Sequence, residues 1–204
     1  MKVVCLDLEW VLIPEIWEEL WKLTKIDELL LTTRDISDYD ELMGIRIAKM
    51  KEHSITLSKI KELVSSLDPL PWAQDFMKWL RENFQVCILT GSFYEYIMPL
   101  LLKLDYPFTY ANNLVIENDM ITGFKMRETD WKIEVINRLR AWWHKTIAIW
   151  DSYNDLKMIA WADKWIFFRP SEKLRKEMDG KFAITDRYEE LKEILSSYID
   201  GIII

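Results

Sequence analysis

Glycine, cysteine and histidine are scarce in this chain of 204 residues, with 5, 2 and 2 copies. Glycine makes up about 7% of an average protein, and α/β enzymes use it in turns and beside ligands. Cys5 and Cys87 both lie in strand-like runs, which favours buried free thiols in a reducing cytosol over a disulfide. His53 and His144 lie outside every motif considered below, so surface or capping roles are expected for them.

Long apolar runs and positive charge are also missing. No apolar stretch approaches the ~20 residues of a membrane-spanning helix, and the start of the chain does not resemble a signal peptide. The net charge of −7 argues against nucleic acid, whose phosphates require a basic surface. The sequence therefore predicts a soluble cytoplasmic protein without membrane or nucleic-acid partners, and it leaves monomer and homodimer open.

Strand-like and helical segments alternate along most of the chain. Residues 3–7 form an apolar run typical of a buried parallel strand, whereas residues 14–70 show helical periodicity between prolines. These patterns predict an α/β fold, with a Rossmann-like core over residues 1–13 and 71–204 and an inserted helical cap over 14–70. Later strands are predicted at 85–89, 146–150, 165–168 and 182–184, a hairpin at 114–126, and helices at 72–83, 94–104, 132–142, 155–162, 171–178 and 188–198.

Acidic side chains follow two of the predicted core strands. Asp7 and Glu9 come after the first strand, and Asp151 and Asp155 follow the strand at 146–150. In open α/β sheets, ligands bind at the carboxyl ends of the strands. Asp7 and Asp151 at neighbouring strand ends would repel each other unless a hard cation lay between them, and Mg²⁺ prefers such oxygen ligands.

These residue types suit the transfer of a phosphoryl group. Asp7 could attack phosphorus as a carboxylate nucleophile, and Glu9 could protonate the leaving oxygen and then activate water. Thr90, the backbone N–H of Gly91 or Ser92, and Lys132 could bind the phosphoryl oxygens. Each feature also has an ordinary explanation, since a strand-end Asp often caps a helix and Lys132 could be a solvated helix residue.

Four ordered segments, DLEWVL, ILTGSF, DWK and DSYND, resemble the motifs of haloacid dehalogenase (HAD) superfamily phosphatases. Within that superfamily the chain is most similar to phosphoserine phosphatases, especially the bacterial ones that are also homoserine phosphotransferases. In these proteins the acid/base position of the first motif carries Glu rather than Asp. The resemblance covers essentially the whole chain and implies a small amino-acid phosphate, phosphoserine first, as substrate.

The resemblance also implies a role for each matching residue. Asp7 would be the phosphorylated nucleophile and Glu9 the acid/base, while Thr90, Gly91 and Lys132 would hold phosphate. The Mg²⁺ ligands would be Asp7, the Glu9 carbonyl and Asp151, with Asp155 in support.

Three further residues match substrate positions of these enzymes. Glu15 and Arg46 would bind the amino and carboxylate groups of phosphoserine, which suits their charges. Asn154 would orient Lys132 or the substrate. An ordinary surface ion pair remains the alternative for Arg46.

Two tryptophans depart from the family pattern. Trp10 and Trp150 stand where the family has glycines, which allow close backbone approach beside the metal. Strand alternation predicts that Trp150 points away from Asp151, into a helix layer. Trp10 follows Glu9 on the loop that would surround the metal, where its side chain could obstruct the site.

These departures and the low glycine count leave two alternatives to an active phosphatase. The first is an engineered sequence, redesigned on such a backbone, with impaired or no activity. The second is a non-catalytic relative that binds phosphometabolites. The retention of Asp7, Glu9, Thr90, Lys132, Asp151 and Asp155 argues against complete inactivity, because packing alone does not favour so many buried carboxylates.

Overall fold

A computed structural model of the protein describes residues 1–127, 130–152 and 161–199. Over these residues, seven strands form one sheet in the order β4-β3-β2-β1-β5-β6-β7. The strands are β1 (Lys2–Leu6), β2 (Gln85–Phe93), β3 (Thr109–Glu117), β4 (Met120–Lys125), β5 (Lys145–Trp150), β6 (Lys164–Phe168) and β7 (Ala183–Thr185). The helices are α1 (Ile16–Thr24), α2 (Tyr39–Glu52), α3 (Leu57–Ser66), α4 (Ala73–Asn83), α5 (Tyr94–Lys103), α6 (Trp131–Ala141), α7 (Glu172–Met178) and α8 (Tyr188–Ile199), with a 3₁₀ helix at Asp27–Leu30.

The sheet is mostly parallel, which confirms the predicted α/β class. Its strand pairs are parallel except for β3 and β4, which form the predicted antiparallel hairpin. Asn118 and Asp119 make the turn with φ of 50° and 66°, the left-handed conformation that a tight hairpin requires. The right-handed twist of the strands favours this turn, and Asn and Asp tolerate it better than most residues.

One strand is longer than the sequence indicates. The pattern predicts an end at Leu89, but β2 continues to Phe93 and pairs with β3 across a register shift between these two residues. Thr90 and Ser92 are buried, so polar residues that look like a loop in the sequence are part of the sheet. The helix predicted over 155–162 lies largely outside the described residues.

The segment between β1 and β2 is helical. Side chains cap its helices: Glu15 accepts from the Glu18 N–H at the start of α1, and Asp38 accepts from the Asp40 and Glu41 N–H groups at the start of α2. Such caps satisfy amide groups that have no partner inside the helix. α3 packs against α5, and α2 packs against β4. The assignment of residues 14–70 as a separate cap remains a prediction.

Two apolar layers cover the sheet. The larger contains residues of α1–α5 and α8. The smaller contains Cys5, Cys87, Trp150 and Trp165, packed against Ile136 of α6. Both cysteines are buried and free, as predicted, and they are register partners on β1 and β2. Among the described helices, none has the length and apolar character needed to cross a membrane.

Candidate active site

The carboxyl ends of β1 and β5 bring two acidic residues to one edge of the sheet. Leu6 pairs with Ile149, and the Asp7 N–H donates to the Ile149 carbonyl at 3.1 Å. Asp151 directly follows β5. The two aspartates therefore leave adjacent strands at nearly the same level, as the sequence predicts.

Asp7 is held by two hydrogen bonds from different parts of the chain. The Lys132 ammonium lies 3.2 Å from Asp7 Oδ2, and the Leu8 N–H donates to Asp7 Oδ1 at 2.7 Å. The side chains of Lys132 and Asp7 are only 14% and 15% exposed. Lys132 is thus not a solvated helix residue, because the first turn of α6 directs its charge onto the proposed nucleophile.

Glu9 connects the helical segment to the sheet. The Ile16 N–H, at the start of α1, donates to Glu9 Oε1 at 3.1 Å, and the Ser92 hydroxyl donates to Oε2 at 2.5 Å. Burial raises the pKa of the Glu9 carboxyl, and the Asp7 charge raises it further, while the two hydrogen bonds lower it. The net shift is upward and favours the protonated form that a general acid requires.

Thr90 and Gly91 lie inside β2. The Thr90 hydroxyl accepts from the Ser92 N–H at 3.1 Å, and the Gly91 carbonyl accepts from the Asn112 amide at 2.8 Å. Gly91 is exposed, and a Cβ added there would meet no atom within 4 Å. The space beside the Gly91 backbone is therefore open to a ligand.

Arg46 and Glu15 lie on the helical side of the site. Arg46 is only 6% exposed; its Nη2 donates to the Leu31 carbonyl at 2.6 Å, and its guanidinium stacks 4.2 Å from the centre of the Trp17 ring. Its Nε is buried without a hydrogen-bond partner among the described residues. These contacts exclude a surface ion pair for Arg46 and leave one donor available.

Two acidic groups on this side, Glu15 and Tyr39, have raised pKa values. Burial, followed by the charge of Glu9, raises the pKa of Glu15 to about 8, although Arg46 opposes the shift. Burial likewise raises the pKa of Tyr39 to about 12. A positively charged group of a ligand beside Glu15 would lower this raised pKa and stabilise the carboxylate anion.

Sequence reasoning missed two members of the site, Tyr39 and Tyr96, and it considered only the backbone N–H of Ser92, not its hydroxyl. Ser92 lies within the motif ILTGSF, and its spacing two residues after Thr90 on one strand places both side chains on the same face. No sequence signal singles out Tyr39 or Tyr96, because their proximity to Glu9 depends on how α2 and α5 pack.

The two unusual tryptophans occupy different environments. Trp150 is fully buried 5.5 Å from the Trp165 ring, in the layer that contains Ile136. Its predicted direction is therefore confirmed, and its ring centre lies 5.5 Å from the Lys132 ammonium. Trp10 is 44% exposed and has a φ of 62°, a conformation that favours glycine.

Two predicted site residues cannot be compared with the structure. Asn154 and Asp155 lie outside the described residues. Within the ranges that the structure describes, no three His, Cys, Asp or Glu side chains cluster as a metal site. His53 is exposed at the C-terminal end of α2, and His144 follows α6.

Several known proteins are similar to this chain in sequence. No protein-family model matches the chain. Phosphoserine phosphatase ThrH of Pseudomonas aeruginosa is 40% identical over 193 residues, which cover 94% of both chains. A phosphoserine phosphatase of Pseudomonas syringae pv. tomato is 38% identical over 95% of this chain and 81% of its own length.

Solved structures support the same assignment. Phosphoserine phosphatase from T. onnurineus, at 25% identity, superposes with a TM-score of 0.71 over 95% of this chain and 94% of its own. A phospho-aspartyl intermediate analogue of a phosphoserine phosphatase, at 20% identity, superposes with a TM-score of 0.76 over 97% and 98%; at that identity the likeness shows the fold alone. By its sequence and its fold, the chain belongs to the phosphoserine phosphatase family of HAD hydrolases.

Proposed function

We propose that this protein hydrolyses or transfers the phosphoryl group of a small amino-acid phosphate, phosphoserine first, through an aspartyl-phosphate at Asp7. The observation that carries the proposal is the pairing of Asp7 with Lys132 at the edge of the sheet. A largely shielded carboxylate beside a largely shielded ammonium, next to an open glycine backbone, suits an anionic substrate.

The side chains divide the reaction into two steps. An Asp7 carboxylate oxygen forms a bond to phosphorus while the ester P–O bond breaks, and Glu9 gives its proton to the departing alcohol oxygen. In the second step Glu9 takes a proton from water, whose oxygen attacks phosphorus and releases phosphate from Asp7. With an alcohol in place of water, the second step transfers the phosphoryl group. Lys132 and the Thr90 hydroxyl stabilise the charge on the phosphoryl oxygens.

The acidic residues fit Mg²⁺. Asp7 and Asp151 leave adjacent strands, and with the Glu9 carbonyl they offer the oxygen ligands that this ion prefers. Asp155 would support the metal site from outside the described residues. When bound, Mg²⁺ would reduce the repulsion between the phosphate and these carboxylates.

We assign recognition of the amino-acid part to the helical segment. Arg46 supplies a buried guanidinium for a carboxylate, and Glu15 a buried carboxyl for an ammonium. Asn154 would orient the substrate or Lys132. Since these groups belong largely to residues 14–70, we propose that this segment acts as a cap that covers the substrate and excludes water during attack.

The test is phosphate release from phosphoserine, with and without Mg²⁺. Wild-type protein should release phosphate only with the metal, and Asp7→Asn should lose at least about 10³-fold in rate because it lacks the nucleophile. Asp75→Asn, an exposed position on α4, is the matched control and should keep wild-type activity. Equal activity of wild type and Asp7→Asn would refute the mechanism.

The same samples separate the two alternatives. A protein without turnover that phosphoserine stabilises against heat only with Mg²⁺ would be a binding protein. A protein with a very high melting temperature, no turnover and no ligand-dependent stabilisation would be an inactive redesigned sequence.

A further inference from the structure

Tyr96 has a buried hydroxyl without a partner. The residue lies in the first turn of α5 and is 1% exposed, and its ring makes edge contacts with Trp17 and Phe93 at 6.3 and 5.9 Å. No hydrogen-bond partner for its oxygen is present in the described part of the chain. Leaving a buried hydroxyl unpaired is costly, so such a group in a site indicates that a ligand completes it.

The hydroxyl lies near the acidic groups of the site. Its pKa is raised well above the ordinary value, first by burial and then by the charge of Glu9, with smaller contributions from Tyr39 and Glu15. The nearby Ser92 hydroxyl lowers this pKa slightly, but its oxygen does not meet hydrogen-bond geometry with the Tyr96 hydroxyl, which has no partner among the described residues. The Tyr96 hydroxyl therefore keeps its proton and can donate it.

Arg46 presents a second available donor in the same place. One ring, Trp17, carries both groups, since the guanidinium stacks on it and Tyr96 contacts its edge. The Arg46 Nε, like the Tyr96 oxygen, is buried and has no hydrogen-bond partner within the described ranges. Two neighbouring donors, one of them cationic, match the two oxygens of a carboxylate.

We propose that the Tyr96 hydroxyl is a specificity-determining donor to the carboxylate of the substrate, beside Arg46. This assignment rests on the proposed function, and it adds a residue to the recognition of the amino-acid part. Glu15 is left for the ammonium, because a positive charge stabilises its anionic form, which accepts hydrogen bonds and cannot donate them.

The test compares Tyr96→Phe with Tyr94→Phe on two substrates in the presence of Mg²⁺. Tyr94 lies on the same helix, but its hydroxyl already donates to the Thr109 carbonyl. Phosphoserine carries the carboxylate, and O-phosphoethanolamine keeps the ammonium and phosphate without it. Tyr96→Phe should raise the KM for phosphoserine roughly ten- to hundredfold, with little change in kcat and little effect on phosphoethanolamine. Tyr94→Phe should affect both substrates alike.

Thermal unfolding distinguishes substrate recognition from a purely structural role, because the two roles predict opposite changes in the melting temperature of Tyr96→Phe. Tyr96→Phe removes an unpaired polar group, so its melting temperature should equal or exceed that of wild type, whereas Tyr94→Phe should lower it. A lower melting temperature for Tyr96→Phe, an unchanged KM for phosphoserine, or an equal loss on both substrates would overturn the assignment.

Calorimetry on the Asp7→Asn background separates this inference from the proposed function. If wild-type protein releases no phosphate, the proposed function fails. The Tyr96 assignment still predicts weaker binding of phosphoserine, but not of phosphoethanolamine, to the double variant. Equal affinities of single and double variants for phosphoserine would then reject it.

Discussion

The two halves of the site differ in how their polar groups are satisfied. In the phosphate half, built on strand ends and α6, both Asp7 carboxylate oxygens accept hydrogen bonds from within the protein. In the amino-acid half, built on helices, the Arg46 Nε and the Tyr96 hydroxyl have no partner among the described residues, and the pKa of Glu15 is about 8. The polar groups of the first half are paired within the protein, whereas those of the second half would be paired by the proposed substrate.

This difference has a physical origin. Strand ends in one sheet are fixed by backbone hydrogen bonds, so charges can be paired closely at little cost in flexibility. Helices that pack through apolar faces offer few hydrogen-bond partners between them, so a ligand that binds there is recognised by the polar groups it satisfies.

The largest effect is expected for a substitution in the phosphate half of the site, at Lys132. Lys132→Met should lower kcat about 10²- to 10³-fold, because the ammonium that stabilises the phosphoryl charge is lost. The KM for phosphoserine should change less. Lys145→Met is the control, since that side chain is 60% exposed and pairs only weakly with Asp163 at 3.5 Å. Steady-state kinetics of both variants would measure the effect, and a loss below tenfold for Lys132→Met would contradict the role given to this pair.

A medium effect concerns the titration of Glu15. Its pKa is raised from 4.5 to about 8 in the folded protein. The contribution of the protonated carboxyl to the free energy of unfolding is therefore fully present below pH 4.5 and is lost as the pH rises toward 8. Glu15→Gln imitates the protonated group. The variant should match wild type near pH 4.5 and become more stable than wild type by a few kcal/mol at most near pH 8, since one pKa unit is about 1.4 kcal/mol.

Denaturant unfolding across this pH range would measure the Glu15 difference. Glu62→Gln, an exposed position on α3, should keep the wild-type pH dependence. A difference between wild type and Glu15→Gln that stays constant with pH would show that Glu15 does not titrate in this window.

The smallest effect concerns the loop after Glu9. Backbone strain at a non-glycine residue in the left-handed conformation costs about 1 kcal/mol, and Trp10→Gly removes it. Glycine makes the unfolded chain more flexible, which costs a similar amount of stability, and the contacts of the indole are lost. Stability should therefore change by less than about 1 kcal/mol, and kcat by only a few-fold. Trp72→Gly is a matched control, because Trp72 is also exposed and has a φ of 71°. A rise in kcat above tenfold for Trp10→Gly alone would show that this indole obstructs the site.

Much of the site could be predicted because it depends on the residue pattern within single segments of the chain. Asp7 and Asp151 end apolar runs, and parallel strands end at the same edge of a sheet, so their proximity follows once the sheet is recognised. The extension of β2 to Phe93 could not be predicted, because polar residues read as a loop until β3 supplies their hydrogen bonds. Asn154 and Asp155 remain predictions.

The sequence by itself determined the order of strands and helices, the chemistry at the strand ends and the direction of Trp150, since each follows from periodicity along a single segment. Only the tertiary structure decided that Lys132 pairs with Asp7, that Ser92 donates to Glu9, and that Tyr96 contacts the edge of Trp17. Those contacts join segments from distant parts of the chain, and their geometry is set by how the helices pack on the sheet.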